Sequence, residues 1–162
     1  MGRVEGLAGL RKEQVEEGRK VLVFHCNWAG QSALEEVGRQ GESYSCQVLP
    51  VRVPCVGRLH AGMVLRALEL GAAGVLMVGC LEGQCRFGAG DHKVAEVYQE
   101  ASSLARLLGF GEGQIRLERV GPHDHEKMIR LVEGFLHEVT RGEVARAQPA
   151  EQPRSGGKAA KP

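Results

Sequence analysis

Aromatic side chains are scarce, at 4%, and there is a single tryptophan. Base-stacking nucleic-acid modules depend on aromatic platforms, so this scarcity argues against them. Net charge is scarce too: +1 at pH 7, with no basic block along the part expected to fold. A phosphate backbone would find little to grip, so no nucleic-acid partner is expected. No apolar run approaches the length that spans a bilayer. The first twenty residues hold no apolar core of signal-peptide length. The expectation is a cytoplasmic protein, where thiols stay reduced. An even cysteine complement is missing as well. There are 5 cysteines, at Cys26, Cys46, Cys55, Cys80 and Cys85. An odd count in a reducing compartment points away from a disulfide framework and toward metal binding or reactive thiols.

What is present suits one globular domain: 162 residues, of which 43% are hydrophobic. Residues 1–20 read as a polar lead-in, with a short helix around Arg11 to Glu17. VLVFHC, Val21 to Cys26, is a continuous apolar run of strand length. QSALEEVGR follows Gly30 and reads as a short helix, with Ala33, Leu34 and Val37 inward and Gly38 or Gly41 as its stop. CQVLPVRVPC contains a second strand. Pro50 lacks a backbone donor, so this strand belongs at a sheet edge or begins after the proline. VGRLHAGMVLRALELG is a helix with Ala61, Val64, Ala67 and Leu68 on one face and Gly71 as its stop.

AAGVLMVG carries the third strand, which is expected to break at Gly79. A glycine-punctuated loop then delivers Cys80 and Cys85. A longer helix runs from Asp91 to Leu108 and stops at Gly109. IRLERV, Ile115 to Val120, alternates apolar and charged residues as a half-exposed edge strand does. PHDHEKMIRLVEGFLHEV is the last helix, with Pro122 suited to its first turn. Residues 143–162 hold little that could be buried and are expected to be disordered.

The alternation of strand and helix implies an α/β fold: an open parallel four-stranded sheet with helices on both faces. A flavodoxin-like order 2-1-3-4 puts the most apolar strands, the first and third, at the centre. Parallel strands finish on one common edge, and ligands bind there. Cys26 ends strand one, Cys55 follows strand two, Cys80 ends strand three and Cys85 lies just beyond. All four are therefore expected at that edge, and Cys46 at the opposite one.

Four thiols brought together have few chemical uses. C-x4-C is a spacing used by [2Fe-2S] centres. A four-cysteine zinc module is a competitor, although the closely paired C-x2-C knuckle is absent. Spacing alone also allows cysteines that merely fill small buried volumes. Elsewhere, His25 reads as a satisfied core histidine, and His123 and His125 as solvated. Glu82 is too isolated for paired-carboxylate chemistry. GFGEG follows a helix instead of opening one, which is the wrong context for a phosphate. Trp28 is expected to pack in the core rather than shield a metal centre.

With these residues placed, the chain resembles the iron–sulfur (delta) subunit of methyl-viologen-reducing hydrogenase, a partner of heterodisulfide reductase. The resemblance runs from about Val21 to Thr140. It is carried by CNWA at Cys26, by PCVGR around Cys55, and by GAAGVLMVGCLEGQCRFGAGDHK. In the last, Gly79, Cys80, Cys85, Gly90 and Lys93 match the family pattern, and Arg58 matches a family arginine after the middle cysteine. The resemblance implies that residues 21–142 form an iron–sulfur domain with no catalytic site of its own. It implies a [2Fe-2S] cluster held by Cys26, Cys55, Cys80 and Cys85. Gly79 and Gly83 would then approach the cluster through backbone amides, and Arg58, Arg86 and Lys93 would favour its reduced state. Electrons would pass from a hydrogenase, a formate dehydrogenase or a similar donor to the flavin-bearing subunit of heterodisulfide reductase.

Three places depart from the family. Ala29 stands where C-N-W-C has its second cysteine. Leu81 and Glu82 replace a histidine and a proline, and Arg86 replaces a histidine. A lost ligand at Ala29 would leave a structural adaptor without a cluster, a thiol-redox protein, or a site completed by Cys46.

Overall fold

The computed structural model describes residues 19–141. The expected lead-in helix and the disordered tail lie outside the described residues. The elements are β1 (Val21–Cys26), α1 (Ala29–Arg39), β2 (Val48–Val53), a 3-10 turn (Val56–Arg58), α2 (Ala61–Glu69), β3 (Gly74–Cys80), α3 (Gly90–Leu107), β4 (Ile115–Val120) and α4 (His125–Thr140). All strand pairs are parallel, and the order is β2-β1-β3-β4. This is the expected open sheet in the expected order.

The burial pattern explains the order. Every residue of β3 is buried, so both faces of the sheet are covered there. Helix α1 packs against α4, and α2 against α3. Strand β4, at an edge, is buried only at its two ends, Ile115 and Val120. Between the layers lie Leu76, Met77, Met128 and Phe135, each fully buried. Side chains of that size each contribute about 1.5–3 kcal/mol on burial. The helices present the stripes that their sequences announce: Ala33 and Val37 in α1, Val64, Ala67 and Leu68 in α2, and Met128, Val132, Phe135, Leu136 and Val139 in α4.

Strand β2 includes Pro50, opposite Val23, and lies at the sheet edge, the first of the two placements expected for it. An edge strand tolerates the proline because one side of the ladder faces no partner. Several boundaries differ from expectation. Strand β3 does not break at Gly79 but runs through it to Cys80, with Gly79 opposite Arg119. Helix α1 starts two residues early, at Ala29, and passes through Gly38. Its chain reversal comes at Gly41, where φ is +71°. Pro122 lies in the turn before α4 rather than inside its first turn.

Candidate metal centre

The carboxyl edge of the sheet delivers the cysteines from three directions. Cys26 is the last residue of β1 and Cys80 the last of β3, and these strands are neighbours. Their sulfurs are 3.4 Å apart. Cys55 sits between β2 and the 3-10 turn, and Cys85 lies in the loop before α3. Both of their sulfurs press on Gly90, the first residue of α3. A Cβ added there would lie 2.6 Å from Cys85 Sγ and closer still to Cys55 Sγ. The thiols therefore arrive as two pairs. Cys26, Cys55 and Cys80 are buried, while Cys85 is half-buried. Cys46 is exposed in the turn before β2, away from the four. Among the described residues, no three His, Cys, Asp or Glu side chains gather closely enough to hold a single metal ion.

The thiols perturb one another. Burial first, and then the Cys26 thiol, push the Cys80 thiol up to about 12, against the pull of the Ala29 amide. Burial also pushes Cys55 up; the Gly57 amide opposes this, while the Cys85 and Cys26 thiols add to it. Crowded sulfurs in a dry pocket resist ionising unless a cation shares the site.

Two glycines make the convergence possible. A Cβ on Gly57 would collide with the Gly90 backbone, 2.9 Å from its Cα. The turn after β2 and the start of α3 thus meet backbone to backbone, which carries Cys55 to Cys85. Gly30 plays a similar part under β1. A Cβ there would lie 2.8 Å from the His25 Cβ, and its amide donates to Cys26 Sγ at 3.3 Å.

The expected glycines behave differently. Gly83 and Gly88 do take positive φ, +71° and +77°. Gly79 is an ordinary strand residue, where an added Cβ would make only normal contact with Val94 at 3.5 Å. The Gly83 amide donates not to sulfur but to Asp91 Oδ2, at 2.6 Å. The amide that hydrogen-bonds sulfur is that of Gly30, while those of Ala29 and Gly57 stand close enough to Cys80 and Cys55 to pull on their thiols.

Asp91 and Arg119 carry no signal in the sequence. Asp91 is 2% exposed and also accepts the His92 amide at 3.0 Å. The Gly83 amide holds its carboxyl below the usual aspartate value. Arg119 reaches across from β4. It donates to the Asp91 carbonyl at 2.9 Å and to the Cys80 carbonyl at 3.4 Å, and pairs with Glu82 at 3.7 Å. An acid at a helix start reads as an ordinary first-turn carboxylate, and an arginine on an alternating strand reads as solvated. Asp91 falls inside the GAAGVLMVGCLEGQCRFGAGDHK stretch but is not one of its matched positions, and Arg119 lies outside every motif.

The rim holds the rest. Trp28 is 42% exposed rather than packed in the core. The Arg86 guanidinium stands over its ring, 4.3 Å from the centroid. The family-pattern departure at Arg86 thus creates a partner for the indole. Arg58 and Lys93 line a cavity of ≈ 290 Å³ with Cys55, Phe87 and Gly90. His25 is buried, with Nδ1 3.4 Å from the Cys26 carbonyl. Burial, more than the nearby Arg52, holds it below the usual histidine value.

Known proteins resemble this chain over the same residues. Residues 21–141 match the family model described as methyl-viologen-reducing hydrogenase, delta subunit. The iron-sulfur subunit of the F420-non-reducing hydrogenase of Archaeoglobus profundus is 30% identical over 115 residues, 71% of this chain and 84% of that protein. The vhu iron-sulfur subunit of the same kind of hydrogenase from Methanopyrus kandleri is 29% identical over 124 residues, 76% of this chain and 93% of that protein. One subunit of the ferredoxin:CoB-CoM heterodisulfide reductase of Methanosarcina mazei is 24% identical over 119 residues. Those residues are 74% of this chain but only 15% of that much longer protein.

Proposed function

We propose that this chain, which belongs to the methyl-viologen-reducing hydrogenase delta subunit family, is a [2Fe-2S] electron-transfer subunit. On this reading it relays electrons from a hydrogenase- or formate dehydrogenase-type donor to the flavin-bearing subunit of a heterodisulfide reductase, in the cytoplasm. Among the described residues, no helix is long and apolar enough to cross a membrane.

The observation that carries the cluster assignment is the pairing of the thiols. Cys26 and Cys80 stand 3.4 Å apart, while Cys55 and Cys85 share the space above Gly90. A two-iron centre takes two thiolates on each iron, whereas zinc wants four ligands around one point. The residues fit the former: two sulfur pairs, an amide donor to Cys26, backbone amides beside Cys80 and Cys55, and no Cβ at Gly90 to fill the space between. When bound, such a cluster accepts and releases single electrons. The chain's own residues would hold it, donate amide hydrogens to its sulfurs from Gly30, Ala29 and Gly57, and exclude water from all but the Cys85 side. The partner assignment has a separate support. A segment similar to this chain forms part of a heterodisulfide reductase polypeptide, which is what a module docking on that polypeptide would produce on fusion.

Anaerobic purification, a visible absorption spectrum, and iron, zinc and sulfide analysis test the reading. Equal iron and labile sulfide are expected. Zinc instead would indicate a four-cysteine structural module. No metal would leave a cluster-free adaptor or a dithiol built on Cys26 and Cys80. Cys80→Ser should abolish the absorption and Cys46→Ser should leave it. The reverse result would overturn the ligand assignment.

A further inference from the structure

Among the described residues, six arginines of this fold are held in ion pairs. Arg39, Arg66, Arg106, Arg116, Arg119 and Arg130 each pair with a carboxylate. Arg19, Arg52, Arg58, Arg86 and Arg141 do not, and neither does Lys93, among the described residues. Of these, Arg58, Arg86 and Lys93 are exposed together at the edge where the cysteines converge. The whole chain is nearly neutral at +1, so this clustering is local. Two large aromatic side chains stand among these cations in the open: Trp28 at 42% and Phe87 at 53% exposure. Exposed aromatics beside arginine are the composition of a binding hot spot, not of a solvated surface.

From this we propose that the rim around Cys55 and Cys85 is a docking surface for an acidic protein face, one carboxylate of which enters the cavity between Arg58 and Lys93. The inference rests on the electron-transfer reading for its purpose but not for its chemistry. Charge complementarity names the occupant. The cavity is walled by Cys55, Gly57, Gly90 and Phe87, and its cations come from Arg58 and Lys93. A carboxylate entering it would gain two charge-assisted partners where solvent is partly excluded. Beside it, the Trp28–Arg86 stack offers a flat platform. The arrangement also answers an electrostatic difficulty. An acidic partner would be repelled by anionic thiolates, and uncompensated cations at the mouth offset that repulsion and steer the encounter.

The test needs a readout that does not require a metal centre. The probe is a fluorescein-labelled hexaglutamate peptide, followed by anisotropy against the full chain at low and high salt. Arg58→Glu with Lys93→Glu is compared with Arg39→Glu with Arg130→Glu, which carries the same charge change away from the rim. Far-UV dichroism confirms that both are folded. Salt-sensitive binding, weakened about tenfold or more in the rim variant alone, supports the proposal. No binding by the unaltered chain, or equal loss in both variants, overturns it.

A second measurement uses the reduced chain and two oxidants that each take one electron, hexacyanoferrate(III) and hexaamminecobalt(III). The unaltered chain should favour the anion relative to the rim variant, by about tenfold in the ratio of rates. An unchanged ratio overturns the proposal. A chain that binds the peptide but holds no redox centre keeps the docking surface and removes the electron-carrier reading instead.

Discussion

Asp91 Oδ2 accepts the amide of Gly83 at 2.6 Å. This one bond ties the middle of the Cys80–Cys85 loop to the first turn of α3. The loop is otherwise held by two turns of its own, closed by Gln84 to Leu81 and Gly88 to Cys85. From the other side Arg119 grips the carbonyls of Asp91 and Cys80. Asp91 therefore sets where Cys85 stands relative to Cys80 without touching either sulfur. Asp91→Ala should raise the hydrogen-exchange rate of the Gly83 amide by about tenfold or more, since removal of its acceptor leaves it open to solvent. Asp91→Asn keeps an acceptor oxygen and should recover much of the protection. Unchanged exchange in the alanine variant would show that the loop's own turns suffice.

Gly90 offers a sharper test, because two principles oppose each other there. As the first residue of a helix it would gain from alanine by propensity alone. Its missing side chain, however, is the space between Cys55 and Cys85. Gly90→Ala should therefore destabilise the chain by about 1–3 kcal/mol, as overpacking does. It should also change the rate at which Cys85 reacts with a thiol reagent. Gly38→Ala is the control. Gly38 is exposed inside α1, and nothing lies within 4 Å of its added Cβ. That change should stabilise by about 0.5–1 kcal/mol. Denaturant midpoints for the two variants moving the same way would contradict this account.

Much of this architecture is legible in the sequence because it depends on pattern. VLVFHC, apolar but for His25, and VLMVG belong at the centre of a covered parallel sheet. Once strand order follows, Cys26 and Cys80 are bound to finish side by side. What pattern does not supply is contact. Gly79, Gly57 and Gly90 all fall in the family's stretches, yet Gly79 lies within a regular strand, while Gly90 and Gly57 make the close approach. Size alone would put Trp28 inward, but it stands at the surface against Arg86. Asp91 and Arg119 look like solvated charges until the fold sets β4 beside the loop.

The Trp28–Arg86 stack predicts a measurable coupling. At 4.3 Å from the centroid and partly exposed, it should contribute about 0.5–1 kcal/mol. A double-mutant cycle with Arg86→Ala and Trp28→Leu reads that value from denaturant midpoints. Trp28 is the single tryptophan, so Arg86→Ala should also alter the intrinsic emission without interference. A coupling near zero together with unchanged emission would mean that the two side chains do not meet in solution.

A pH dependence is expected far from the cysteines. Arg116 on β4 bonds Glu138 on α4 through two oxygens. That bond, more than simple charge attraction, holds the Glu138 carboxyl below its ordinary 4.5 and holds the Arg116 guanidinium up. A carboxyl lowered in the folded chain contributes stability that is complete above 4.5 and is lost as pH falls through the lowered value. Both side chains are roughly a third exposed, at 31% and 39%, so solvent screening keeps the contribution below about 1 kcal/mol. Glu138→Gln should lower stability by that amount at pH 7. The gap between variant and unaltered chain should close as pH drops below 4.5. Urea titrations of both chains from pH 7 to 3 check it. A gap that widens on acidification would mean that the pair opposes folding instead of supporting it.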